Sequence, residues 1–220
     1  MKQIQIPVNG DNISRYEFYI EEEFPNAIIT WLTDWLTKYI ESGAKFSNGQ
    51  IFQYGWSVLQ CQLQNNCLRL LAPDFQSMPI EWIPNITKVL HILMEHKYVP
   101  ESFELDMDVP SLEDTAVVGR GFEELPTIMV RSSRSENNPQ DSGWFVGSFR
   151  EDIDNNDPSN LELMTLYEVV LCAPHTLRYL SMPQGTQIVF ESNSPVIFFD
   201  EQLLNPKAGS YLANKLALES

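Results

Sequence analysis

Residues 56–72 read Trp56-Ser57-Val58-Leu59-Gln60-Cys61-Gln62-Leu63-Gln64-Asn65-Asn66-Cys67-Leu68-Arg69-Leu70-Leu71-Ala72. Two runs rich in apolar residues flank Asn65-Asn66, and asparagine tolerates the positive φ that a two-residue hairpin turn demands. Pairing Gln64 with Cys67 sets Leu63 opposite Leu68, Cys61 opposite Leu70 and Leu59 opposite Ala72. Side chains alternate along a strand, so these six share one face and Cys67 falls on the other. Turn chemistry and hydrophobic pattern therefore agree on one register, which predicts an antiparallel hairpin with one buried face. The same register separates Cys61 from Cys67 and speaks against a bridge between them.

Helical patterns lie on both sides of this hairpin. Over 25–42, Ile28, Trp31 or Leu32, Trp35, Leu36 and Tyr39 recur every three or four residues, the spacing of one helix face. Pro25 suits the first turn and Gly43 the residue past the end. Glu21, Glu22 and Glu23 precede the helix, where negative charge favours the positive end of its dipole. Core packing is the reading for both tryptophans. A second helix is expected over about 84–97, starting at Pro84 and burying Ile86, Val89, Leu90, Leu93 and Met94. His91 and His96 are five apart on it, not the three or four of a metal pair, and read as structural or exposed.

Beyond residue 100 the composition changes. Residues 101–124 hold eight acids and one base, Arg120, with Pro110, Gly119 and Gly121. This stretch reads as an acidic connector with one short strand near 115–118. Strands are expected at 126–131, 143–148, 161–164, 186–191 and 196–199, with helical pieces at 165–171, 175–181 and 208–220. The polar runs 132–142 and 150–160 are loops, and no internal repeat is present. The resulting expectation is an α+β fold of mixed or antiparallel sheets packed with two main helices, open to division into two subdomains. Its parts are an N-terminal α+β module over 1–105, a connector over 106–125 and a C-terminal domain over 126–220.

Charge narrows the function. The 220-residue chain carries a formal net charge of −16. Residues 1–105 hold 12 acids against 7 bases, and residues 106–220 hold 18 against 7. Such a field repels nucleic acid and anionic lipid and attracts a basic protein, although acidity also serves solubility alone. Three cysteines make no disulfide framework. The first residues lack the apolar core of a signal peptide, and no apolar run reaches the ~20 residues that span a bilayer. The expectation is a reduced, cytoplasmic protein.

Catalytic motifs are missing from the sequence. It holds no phosphate-binding glycine loop, no CxxC pair, no HExxH and no GxSxG elbow. Cys172 and His175 lie three apart, but Cys172 closes the apolar run Val169-Val170-Leu171 and reads as a buried, inert thiol. Glu151, Asp152, Asp154 and Asp157 crowd one loop without the central glycine and ligand spacing of a calcium loop. They read as an exposed acidic loop whose carboxylates pair with Arg or Lys of a partner and steer its approach. Trp144 has two readings, a ring in the core behind the loop or an aromatic anchor at an interface.

Asp141-Ser142-Gly143-Trp144, Gly147, Glu151-Asp152, Asn156-Asp157-Pro158 and Asn160 form an ordered run, continued by Leu163, Pro174, Leu177, Leu180, Pro183, Gly185 and Phe190. Over about 126–200 this run resembles family thirty-three of the bacterial toxin-immunity proteins, formerly a domain of unknown function. The resemblance implies a dedicated inhibitor encoded beside a secreted toxin, with no catalytic residues, metal or cofactor. Taken together, the reading is an immunity protein of a polymorphic toxin system in bacterial competition. Its partner is a cognate, basic toxin, an effector of contact-dependent or type VI secretion, neutralised mole for mole. The candidate interface is Asp141, Trp144, Glu151, Asp152, Asp154 and Asp157. The alternatives are a secretion-system adaptor and an enzyme that reverses toxin damage with carboxylates such as Asp152 and Asp154.

Overall fold

The structure, a computed structural model, describes residues 1–9, 12–192 and 195–219, so Ser220 at the end of the expected tail helix lies outside it. The fold is α+β, and the chain forms two compact units, Met1–Met94 and Glu95–Ser220.

The first unit contains β1 (Lys2–Pro7), β2 (Arg15–Ile20), α1 (Asn26–Glu41), β3 (Ile51–Tyr54), β4 (Ser57–Gln64), β5 (Cys67–Pro73) and β6 (Trp82–Ile83), and α2 (Thr87–Glu101) begins in it. Its sheet runs β1-β2-β5-β4-β3, with β6 beside β5. All neighbours are antiparallel except β2 and β5. The expected hairpin is present in its expected register: Gln64 faces Cys67, Leu63 faces Leu68 and Cys61 faces Leu70. Asn65 and Asn66 hold φ of 51° and 58°. Leu59, Cys61, Leu68, Leu70 and Ala72 are fully buried.

On α1 the buried row is Ile28, Ile29, Leu32, Leu36 and Ile40. Trp35 and Tyr39, expected in the core, are 38% and 47% exposed. The leucines and isoleucines four apart already fill the contact ridge, which rotates the aromatic row to one side. Gly43 follows the helix at φ +90° and its N–H reaches the Ile40 carbonyl, as a C-terminal glycine does. The second helix starts three residues later than expected and runs further. Pro84 and Ile86 are bonded to Tyr19 of β2 instead, and Asn85 Oδ1 accepts the Thr87 N–H and hydroxyl. An asparagine, not the proline, therefore organises the start.

The second unit adds β7 (Thr115–Gly119), β8 (Thr127–Arg131), β9 (Asp141–Ser148), β10 (Leu161–Thr165), α3 (Leu166–Cys172), β11 (Thr186–Phe190), β12 (Val196–Phe199), β13 (Gln202–Leu204) and α4 (Tyr211–Glu219). Short 3-10 turns occupy Pro158–Asn160 and Pro174–Tyr179. The sheet order is β10-β7-β9-β8-β11-β12-β13, and only β7 and β9 are parallel. Thr165 caps α3 in a reciprocal box with Glu168. At the centre lies Arg131, whose side chain is 0% exposed and pairs with Asp108 at 2.9 Å. Its guanidinium also donates to the carbonyls of Asp108, Leu180 and Met182 and rests over the Trp144 ring.

Candidate functional site

Asp141, Ser142, Gly143 and Trp144 open β9, and each has a local structural task. Asp141 Oδ1 accepts the Gly143 N–H at 2.9 Å and Oδ2 accepts the Ser135 N–H at 2.7 Å. Ser142 Oγ donates to the Thr115 carbonyl and accepts the Trp144 N–H. Gly143 holds φ +76°, and a Cβ there would lie 2.3 Å from the Ser132 carbonyl oxygen, so only glycine fits. Trp144 is 2% exposed, and its indole N–H donates to the Leu180 carbonyl at 3.0 Å. The structure thus corrects the interface reading of Trp144: the ring fills the core and leaves no aromatic surface for a partner. Asp141 is half-buried and holds the polar loop that precedes it.

The acidic loop follows β9, and Asn155 docks it against the sheet while Ile153 packs over Gly121. Asn155 Nδ2 donates to the Ser148 carbonyl at 2.7 Å. Its Oδ1 stands 2.6 Å from where a Cβ on Gly119 would be and 2.8 Å from one on Gly147. Glycine in β7 and again in β9 leaves the hollow that the amide occupies. The remaining polar groups stiffen the loop. Asp154 Oδ1 accepts the Asn156 N–H, Asn160 Nδ2 donates to the Asp154 carbonyl, and Asp157 caps the turn Pro158–Asn160 through the Ser159 N–H.

This places the remaining candidates. Glu151, Asp152, Asp154 and Asp157 are all exposed on the loop. Arg150 grips Asp152 with two hydrogen bonds of 2.9 and 2.7 Å and reaches Glu124 at 3.5 Å. The Arg150 bonds hold the Asp152 carboxyl below its usual range, and the Ser159 backbone N–H does the same for Asp157. Glu151 makes no ion pair among the described residues. Three of the four loop carboxylates therefore have tasks inside the loop, and Glu151 has none.

Beside the loop lie two adjoining hollows of about 390 and 460 Å³ that share Arg120, Gly121, Glu123 and Asn160. Glu124 and Asp152 line the first, and Glu162 and Cys172 the second. Glu123, Glu124 and Glu162 escaped the sequence reading. Glu123 and Glu124 are distant in sequence from Glu162 and from the acidic loop, and only the strand order β10-β7-β9 gathers them. Cys172, expected to be buried, is exposed. On α3 the buried stripe is Leu166, Tyr167, Val169 and Val170, and the helical turn carries Cys172 off it. Partial desolvation of the Cys172 thiol by its neighbours and the charges of Glu123, Glu168 and Glu162 push its pKa up, and burial pushes that of His175 down. A thiolate–imidazolium pair needs the opposite shifts. The described residues contain no group of three or more His, Cys, Asp or Glu able to hold a metal ion, and no described helix is long and apolar enough to cross a membrane.

The second unit is thus an α+β domain that presents fixed carboxylates on a braced loop and shows no activated nucleophile among its described residues. Its sequence has a family likeness: residues 95–200 match the model of the Imm33-like domain. That match starts ahead of the resemblance over 126–200 and takes in β7, so both glycines beneath Asn155 fall inside it. No curated protein matches the chain, and no solved structure does.

Proposed function

We propose that this protein is an immunity protein that binds a cognate bacterial toxin and blocks it by stoichiometric contact. The observation that carries the reading is the Imm33-like match, which is consistent with an immunity-protein family and covers most of the strongly acidic unit. That unit holds 21 acids against 8 bases, whereas residues 1–94 hold 9 against 6. An acidic surface with its carboxylates held in place favours a basic partner, such as a toxin that acts on nucleic acid, by steering its approach. The setting is the cytoplasm of the producing cell, and the toxin is an effector of contact-dependent or type VI secretion. The braced loop from Glu151 to Asp157 is the proposed contact surface, together with Glu123, Glu124 and Glu162 around the cleft.

The test is titration. The protein, tagged in its own host and purified with the neighbouring toxin expressed, should retain that toxin and release it at high salt. Added to the toxin in steps, it should abolish activity at one-to-one ratio. Protection at far lower ratios would sink the blocking mechanism and favour an enzyme that repairs damage. Recovery of a secretion-apparatus component alone would favour the adaptor.

A further inference from the structure

The first unit carries a surface that the toxin reading does not use. Trp35 and Tyr39 stack at 5.4 Å on the exposed side of α1. Trp35 also meets Phe52 at 5.8 Å and Tyr54 at 5.5 Å, and Phe46 closes the group against Tyr39 and Phe52. Phe52 and Tyr54 belong to β3, the last strand of the sheet, whose neighbour is β4 alone. The Cys61 N–H reaches the Gln50 carbonyl, so by antiparallel alternation Phe52 and Tyr54 bond to β4. The N–H and C=O groups of Ile51 and Gln53 therefore point to the open side. Within β3 this edge lacks the usual protection: it has no proline and no charged side chain, the one glycine bulge, Gly49–Gln50 opposite Cys61, stands just before the strand, and Ile51 is 50% exposed.

We infer that β3 is the interface of a homodimer, in which it pairs antiparallel with β3 of a second copy. The occupant follows from self-complementarity. With the two-fold axis at Phe52, Ile51 of each copy faces Gln53 of the other, and all the free backbone groups of both residues are used. Phe52 then meets its symmetry mate on the aromatic face, the closest kind of cross-strand pair. Charge points the same way. No ionisable acid or base lies between Lys45 and Arg69 except tyrosine and cysteine, so no like charges meet across the seam. The rim mixes signs, with Asp34, Lys38 and Glu41 beside the aromatic row and Lys45 before Phe46. A basic toxin would select an acidic rim; a rim of both signs suits a copy of itself. The first unit also carries the smaller net charge, which lowers the repulsion between copies.

Sedimentation equilibrium on the full chain tests this. The wild type should dimerise reversibly in the micromolar range. Ile51→Lys should weaken the dimer at least tenfold with unchanged far-UV circular dichroism, because Ile51 is exposed and bonds outward. Adding Gln53→Glu should restore it, since the introduced ammonium of one copy then faces the introduced carboxylate of the other, and Gln53→Glu alone serves if the lysine variant misfolds. A wild type that stays monomeric to about 1 mM, or a dimer indifferent to both substitutions, overturns the inference. So does a monomeric wild type whose protection against toxin is lost in Ile51→Lys, which would assign the edge to the toxin. A dimer that dissociates in Ile51→Lys while toxin binding persists supports it and leaves the toxin reading intact.

Discussion

The two sheets each bury an ion, and they bury opposite signs. In the N-terminal sheet it is Glu17, 5% exposed, on the polar face of β2. Gln3 and Gln5 from β1 and Arg69 from β5 donate to it at 3.0, 3.0 and 2.7 Å. In the C-terminal unit it is Arg131, in the core, bonded to three backbone carbonyls and Asp108. The contrast shows two uses of buried charge. Glu17 ties together three strands that already pair through their backbones, and its partner Arg69 is 37% exposed. Arg131 holds irregular chain, around Asp108 and around Leu180–Met182, where no ladder supplies partners. Its five donors in one plane suit scattered carbonyls, as no lysine would.

Arg131→Ala should accordingly be the most damaging single change, at about 3–5 kcal/mol, from the cavity and the stranded carbonyl of Met182, while the Leu180 carbonyl keeps the Trp144 indole N–H. Asp108 is 45% exposed and finds water, so the loss does not come from a stranded acid. Urea unfolding followed by the near-UV signal of Trp144 measures it. A cost no larger than that of Glu17→Gln would erase the contrast between hub and tie.

Acid separates the units by a different route. His96 is buried, its Nε2 lies 2.8 Å from the Leu177 carbonyl, and burial pushes its pKa down to about 4 from 6.5. Below pH 6.5 the unfolded chain takes up a proton that the folded chain refuses, so stability rests on neutral His96 and is lost as pH falls toward 4. The loss over that window is about 3 kcal/mol. Burial alone would raise the Glu17 carboxyl, but hydrogen bonds from Arg69 and Gln5 and the Arg69 charge hold it below 4.5. Its contribution is present above 4.5 and disappears only as pH falls through that lower value. Hydrogen exchange at decreasing pH should therefore show the second unit weakening first. Simultaneous loss in both units, or a pH profile unchanged in His96→Gln, would refute this ordering.

The first unit's hairpin was readable because a two-residue turn and an alternating pattern are both local, and they fixed the register from Leu63–Leu68 to Cys61–Leu70. The row on α1 was read too wide: Ile28, Leu36 and the alternative Leu32 are buried, but Trp35 and Tyr39 fit the helical period equally and only the sheet excludes them. Neither β1 nor β2 was recognised: Glu17 interrupts the apolar reading of Tyr16-Glu17-Phe18, and its partners arrive from β1 and β5. The loop's acids were legible from composition. Its docking was not, because Asn155 meets Gly119 and Gly147 across two strands and no local signal links them. The sequence motif beginning at Asp141 was noticed for a binding role, while its chemistry is that of a turn and a core strand.

Gly119→Ala probes that docking at intermediate cost. The new Cβ would sit 2.6 Å from Asn155 Oδ1, and the next contact is the Gly147 Cα at 3.3 Å. The expected loss is about 1–3 kcal/mol, the range of overpacking. On an Asn155→Ala background most of it should vanish, since the obstructing atom is gone, and the difference is the coupling between strand and loop. Thermal unfolding of the four proteins gives the cycle, and limited proteolysis should find the 149–157 loop cut faster in both single variants. Additive losses would mean that the glycine serves something other than the Asn155 amide.

Glu151→Lys should be nearly silent in the fold and visible only toward a partner. Glu151 is exposed and takes no part in the bonds that brace its loop, so a stability change within about 0.5 kcal/mol is expected. Asp152 and Asp157 are poorer probes, because reversing either also breaks the Arg150 clamp or the Ser159 cap. If the acidic unit steers a basic toxin, charge reversal at Glu151 slows association, the slowing shrinks as salt screens the field, and dissociation changes little. Stopped-flow mixing at two ionic strengths separates these rates. An unchanged on-rate at low salt would remove the loop from the interface and leave the carboxylates around the cleft, Glu123, Glu124 and Glu162, as the surface to reverse next. A change in off-rate alone would mean that Glu151 makes a short-range contact, and the net charge of the unit would then serve solubility.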